Sequence, residues 1–287
     1  MRSPFLFHPN RVHQIEFLGA TVTLLIVERT MRFLGITALT LAVTAIAPAQ
    51  ISAQATAAAS ASNWEYEGKR GALVWSKLDP AYKACGAGHE QSPIDIRGAH
   101  LNKALAPLEF HFIAGPVKLE NNGHTVVAHV DHGSSLVAGG VRYELTGFDF
   151  HHPSEEAVKG KLTGMDVQFH YQSADGKLAT VAVFLKEDMD HPNAVLASLW
   201  PALPKTAGAT SKVTDEINAA GLLPADLGYW TYAGSLSTPP CSEGVRWFVL
   251  ENEVTIGRDQ LRAFAYLFKV NTRPIEDTHG RRIEANE

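Results

Sequence analysis

Two short runs, Gly147-Phe148-Asp149-Phe150-His151 and Asp166-Val167-Gln168-Phe169-His170, place apolar and polar residues at strictly alternating positions. Period-two alternation predicts half-buried β-strands, with Asp149 and His151 on one face of the first and Asp166, Gln168 and His170 on one face of the second. If the two strands are neighbours, five groups able to hold a metal or a proton converge. On spacing alone, an ordinary solvated sheet face accounts for the pattern at least as well. Further short apolar runs predict strands over 117–120, 125–130, 141–145, 167–171, 179–185 and 245–250. Asn121-Asn122-Gly123 and Asp175-Gly176 mark reversals between them. Helical spacing occurs in 193–199 and in 258–268, where Leu261, Phe264, Ala265 and Phe268 share one face. The chain therefore reads as a single strand-dominated α+β domain with a few helices at its edges.

Composition narrows the partners. The net charge is −5 and the charged residues are interspersed. With no basic stripe, nucleic acid is excluded as a partner class. At the start, 17–27 is too short an apolar run to cross a bilayer. A second segment has the layout of a secretory signal: Met31-Arg32, an apolar stretch over 33–46, then the small-residue exit Ala47-Pro48-Ala49. The expected organisation is an N-terminal extension over 1–30 ahead of a true start at Met31, a signal peptide over 31–55, a flexible leader over 56–62 and a domain over 63–287. Location in the periplasm or outside the cell is the consequence, with no stable membrane span in the mature form. One long anchor made of both apolar runs is the alternative, although Glu28, Arg29 and Arg32 interrupt it. Cys85 and Cys241 suit a single disulfide in an exported domain. Two unrelated buried thiols would be the other explanation.

Three longer motifs give these fragments a common context. They are Gln91-Ser92-Pro93-Ile94-Asp95-Ile96, coming after Trp64, Tyr66, Trp75 and Cys85-Gly86; Asn121-Asn122-Gly123-His124; and the run Tyr229 to Cys241, with Trp247 beyond it. With Phe148 to Glu155 they resemble the α-class carbonic anhydrases in their secreted bacterial form, over about 220 residues from Trp64 to Ile283. The resemblance implies a central, twisted, largely antiparallel ten-stranded sheet with peripheral helices and a cone-shaped site on one face. It also implies CO₂ or bicarbonate as substrate, and zinc as cofactor, held by three neutral imidazoles. Three neutral ligands leave the full charge of the ion to lower the pKa of its water to about 7.

The three ligand positions fall on Asp149, His151 and Gln168, so one histidine of three remains. His152 has the wrong parity to replace a missing one. His170, two residues beyond Gln168 on the same face, is displaced by roughly 7 Å. A shifted metal could then use Asp149, His151 and His170. His124 matches the proton-shuttle position. Ser237 matches the residue that accepts a hydrogen bond from zinc hydroxide, Glu155 the acid that orients it, and Thr238 the next position. His170, Thr180, Leu236 and Trp247 map to the substrate pocket, and His170 and Thr180 make it more polar than the family's. Gly147 stands in place of a glutamine and Asp166 in place of a glutamate behind the ligands. The leading expectation is therefore an exported family member with a degraded zinc site, weak or absent CO₂ hydration, and a binding role. The alternatives are a working carbonic anhydrase with the rearranged ligand set and a small-ester hydrolase using the same metal. Oligomeric state is left open.

Overall fold

A computed structural model describes residues 63–286. These residues fall within one compact unit, Ala57–Glu287. The expected extension, signal peptide and leader (1–62) lie outside the described residues. Among those residues, no helix is long and apolar enough to cross a membrane.

The centre is a sheet whose main path runs through ten strands. In spatial order these are Thr210–Lys212, Val117–Asn121, Val126–Val130, Val141–His151, Met165–Ser173, Leu178–Glu187, Glu243–Leu250, Tyr229–Ser235, Glu284–Ala285 and His100–Leu101. The ten-stranded path agrees with the expectation, and three more strands, Glu109–His111, Ser135–Ala138 and Val254–Ile256, attach off it, thirteen in all among the described residues. Most pairs are antiparallel. The exceptions are Leu178–Glu187 against both Glu243–Leu250 and Val254–Ile256, and the Glu284–Ala285/His100–Leu101 pair.

The strand predicted as two pieces, 141–145 and 147–151, is one strand of eleven residues. Its two halves alternate with opposite parity: Tyr143 and Leu145 enter the core from odd positions, whereas Phe148 and Phe150 enter it from even ones. A register shift between Leu145 and Gly147 reconciles them. An inserted residue bends a strand and re-aims the side chains beyond it. Here it turns Asp149 and His151 away from the core. Gly147 has φ +156, and a Cβ there would lie 2.9 Å from the Ala128 carbonyl oxygen, so the close approach of the neighbouring strand requires glycine.

The central strands are buried on both faces. One face, with Phe148, Phe150, Val167, Phe169, Val181 and Val183, packs under the helices Ala194–Leu199 and Arg258–Leu267. The first helix starts where Asn193 accepts hydrogen bonds from Val195 N and Leu196 N, an N-cap. On the opposite face Ala182, Phe184, Val245, Trp247 and Val249 form a second cluster with Ile94 and Tyr232. A third cluster, Trp64, Trp75, Cys85 and Cys241, is closed by the Cys85–Cys241 disulfide, which joins residues 156 apart in sequence.

Candidate functional site

The adjacent strands Val141–His151 and Met165–Ser173 pair with Asp149 opposite Gln168, Gly147 opposite His170 and His151 opposite Asp166. Thr180 lies opposite His170 on the next strand, and Trp247 opposite Thr180 on the one after. The polar alternation of the sequence thus becomes one continuous patch. Above it is a cavity of about 270 Å³ whose walls include His124, Asp149, His151, Gln168, His170, Thr180, Leu236, Ser237, Thr238 and Trp247. Glu155 is the expected site residue that does not line it. It lies behind the cavity, fully buried.

The geometry around His151 decides what this patch can do. Its Nδ1 lies 2.7 Å from the backbone oxygen of Asn271, which can only accept, so Nδ1 carries a proton. Its Nε2 lies 3.4 Å from Asp149 Oδ1, also an acceptor. Both ring nitrogens therefore face acceptors, and the imidazolium is the form that satisfies both. Burial alone would push the His151 pKa down, but Glu155, with Oε1 3.8 Å from Nδ1, and Asp149 outweigh it and raise it well above the ordinary histidine value. A ring protonated at both nitrogens has no lone pair for a metal.

Asp149 is engaged from a second side. His170 Nε2 lies 3.0 Å from the same Oδ1. Burial acts to raise the Asp149 pKa, yet the two histidines hold it well below the usual carboxylate range, and Asp149 in turn raises that of His170 against the effect of burial. Gln168 donates its Nε2 to Glu155 Oε2 at 3.0 Å, with Asp166 Oδ2 at 3.4 Å. Asp166 itself is pushed up to about 7, first by burial and then by Glu155 against the lowering pull of His151.

This arrangement differs from a three-imidazole zinc centre. Of the three ligand positions, Asp149 is a carboxylate 3.4 Å from His151 Nε2 and 3.0 Å from His170 Nε2, His151 has its Nδ1 on the Asn271 carbonyl oxygen, and Gln168 offers a weakly ligating amide. The alternative set Asp149, His151 and His170 does come together, but its members are bonded to one another. Among the described residues, no group of three or more His, Cys, Asp or Glu side chains has the geometry to hold a metal ion. The donor set does not fit the three-imidazole centre. The expected link from Glu155 to Ser237 is also absent among the described residues; the Glu155 oxygens instead accept from Gln168 Nε2 and, at 3.1 Å, from Arg273 N. His124 stacks on Trp64, with ring centroids 3.6 Å apart and planes 9° off parallel. Burial, with Arg70, lowers its pKa against the opposing pull of Glu65.

A profile of the eukaryotic-type carbonic anhydrase family matches residues 70–287. The chain belongs to the α-carbonic anhydrase family. It is similar to a carbonic anhydrase of Pectobacterium atrosepticum, at 38% identity over 81% of this chain and 95% of that one. Among solved structures, it is similar to a hyperthermostable carbonic anhydrase from a hydrothermal vent chimney (TM-score 0.75, 37% identity, 78% of this chain and 100% of that one). It is also similar to dioscorin solved in complex with ascorbate (TM-score 0.71, 26% identity, 77% and 97%). On this α-carbonic anhydrase scaffold, the residue that sequence reading missed is Asn271. Its side chain accepts from His152 N at 2.7 Å and donates to Phe150 O and His124 O, while its own backbone oxygen fixes His151. It lies in an irregular loop where no periodicity marks it.

Proposed function

We propose that this protein is an exported, metal-free member of the carbonic anhydrase family that binds a small molecule in its cone and does not hydrate CO₂ efficiently. The observation that carries this reading is the chain of contacts from the Asn271 carbonyl through His151 and Asp149 to His170. It leaves the one remaining ligand histidine protonated and the one cavity carboxylate neutralised from two sides. The residues present bind and hold protons; they do not assemble a zinc hydroxide.

Dioscorin, solved with ascorbate, supports a binding role on this scaffold. The bacterial relatives, the Cys85–Cys241 bond and the signal-like layout of residues 31–55 support export. An intact N-terminus upstream of Ala47 on protein recovered outside the cytoplasm, read by mass spectrometry, would sink the cleavage proposal.

The working-enzyme reading retains one observation in its favour. His151 and His170 both present Nε2 to the same Asp149 oxygen, so the two nitrogens converge. Zinc content by elemental analysis, with stopped-flow CO₂ hydration on the same sample, separates the two. A metal-free protein shows a low zinc content and no turnover above a buffer control. Near-stoichiometric zinc with rapid hydration would overturn the proposal.

A further inference from the structure

Two stretches of chain run side by side at one end of the sheet and are tied together at both of their ends. Ile94 bridges in parallel to Glu276, whose N donates to Pro93 O, and His100–Leu101 pairs in parallel with Glu284–Ala285. Between these ties the second stretch is the longer, so it cannot stay paired and arches away from the first. His279 and Gly280, at φ +48 and +75, turn the arch, and Arg281 N closes it by donating to Thr278 O. The gap is a cleft of about 450 Å³, on the scale of small-molecule sites and larger than the cone.

Its walls are basic, on a chain whose net charge is −5. Arg97, Arg281 and Arg282 line it with His100, against one carboxylate, Asp95. Both oxygens of Asp95 are committed, Oδ1 to Gly160 N at 2.8 Å and Oδ2 to Arg97 Nε. Arg282 meets Glu284 through Nε at 3.1 Å. Each of these two guanidiniums is gripped at Nε, which leaves its terminal nitrogens for solvent or a ligand. Arg281 is held differently. Its Nε donates to Thr278 O, Nη1 to Ala233 O, and Nη2 to Gln91 O and Asp277 O. Carbonyls thus fix the group in place through four of its five N–H bonds, and the fifth is spare. The nearby carboxylates serve other groups: Glu276 pairs with Arg273, and Asp277 accepts from His279 N. With Asp95 and Glu284 set against Arg97 and Arg282, the Arg281 charge is left over.

Guanidinium edges suit oxyanions, and their number decides which one. A carboxylate is planar and takes one fork, whereas a phosphate is tetrahedral, carries close to two charges at neutral pH and accepts donors from several sides. Gly98 and Gly280 open the same walls, since a Cβ at either would meet no atom within 4 Å, and a ligand can come up to the main chain there. We propose that the cleft between residues 94–100 and 276–284 binds a phosphate group, free or at the end of a small monoester, through Arg97, Arg281 and Arg282. Such a site works in the same way whether or not the cone holds zinc.

The test is calorimetric titration of the full-length protein, in phosphate-free buffer at constant low ionic strength, with inorganic phosphate, glycerol 3-phosphate and acetate. Both phosphates saturate in the millimolar range or below, and at least about tenfold more tightly than acetate. The tighter of the two tells a free-phosphate site from a monoester site. Arg97→Ala and Arg282→Ala each weaken the binding severalfold, and Arg97→Lys, which keeps the charge and loses the fork, weakens it too. The two side chains are 65% and 64% exposed, so these variants keep the fold, which an unchanged Tm checks. No saturation by either phosphate, acetate bound as tightly, or affinity unchanged in both alanine variants would overturn the inference.

Discussion

Replacing His170 with alanine removes one of the two groups that neutralise Asp149, and its cost can be bracketed from the geometry. Breaking a fully buried ion pair costs about 3–5 kcal/mol, whereas an exposed pair contributes about 0–1 kcal/mol. The His170 side chain is 35% exposed and that of Asp149 16%, so solvent screens part of the interaction. Asp149 also keeps His151 at 3.4 Å. The expected loss is about 1–2 kcal/mol, which for a domain of this size lowers Tm by roughly 2–8 °C. The pH dependence gives the prediction its specificity. Asp149 has a lowered pKa in the fold, so its contribution is present above the unfolded carboxylate value and is lost as pH falls through the folded value. His170 has a raised pKa, so its contribution is complete below the unfolded histidine value and is lost as pH rises through the folded one. The deficit of His170→Ala is therefore largest between about pH 4 and pH 6.5 and shrinks in alkali. Thermal unfolding of wild type, His170→Ala, Asp149→Asn and the double variant across this range measures the coupling directly. Equal stability of wild type and His170→Ala at pH 5, or additive effects in the double variant, would refute the ion-pair reasoning.

Other consequences are as concrete. Reducing the Cys85–Cys241 bond, or replacing both cysteines with serine, releases a closed loop spanning 156 positions and costs about 5 kcal/mol in the chain-entropy model; urea unfolding with and without reductant checks this, and a change below about 1 kcal/mol would contradict it. Asp166 and Glu156 are raised to about 7 and about 8, chiefly by burial, so the folded state holds protons that the unfolded chain releases. Their contribution to stability is complete below the unfolded carboxylate values and declines as pH rises to about 8, a slope that Glu156→Gln should flatten in a Tm–pH series. Restoring Asp149→His and Gln168→His together should raise zinc content toward stoichiometric, while CO₂ hydration stays well below that of a zinc-loaded relative. Gly147 has no room for a supporting side chain beside Ala128, and His170 remains in the pocket. Full activity in that double variant would show that these two neighbours do not matter.

The sequence made some of this structure legible and hid the rest for physical reasons. Asp149, His151, Gln168 and His170 announced a shared face because a strand has period two, and the cavity does gather them. The inserted residue at Thr146 was invisible, since a bulge breaks the period that reveals a strand; it split one strand into two apparent runs. Strands such as Glu109–His111 and Val254–Ile256 are three residues long, too short for alternation to register. Spacing placed His170 on the correct face but could not show that it would turn onto Asp149. Glu155, matched by resemblance to the acid that orients the Ser237 hydroxyl, instead accepts from the Gln168 amide, because an N–H donor in that ligand position faces the carboxylate. The tail after Asn271 shows neither strand alternation nor helical spacing. In the structure Arg273 is buried there, with hydrogen bonds to Gln91, Ser92 and Cys85 and Glu276 2.8 Å from its Nε, contacts that no local pattern encodes.

His151 is the residue on which the metal-free reading turns: its Nδ1 lies 2.7 Å from the Asn271 carbonyl oxygen and its Nε2 3.4 Å from Asp149, and a ring protonated on both nitrogens cannot ligate zinc. Elemental analysis of the purified protein after zinc loading and desalting at neutral pH, with stopped-flow CO₂ hydration on the same sample, tests this most directly. Little retained zinc and no hydration above background are expected. Near-stoichiometric zinc with rapid turnover would contradict the metal-free reading and point to Asp149, His151 and His170 as ligands.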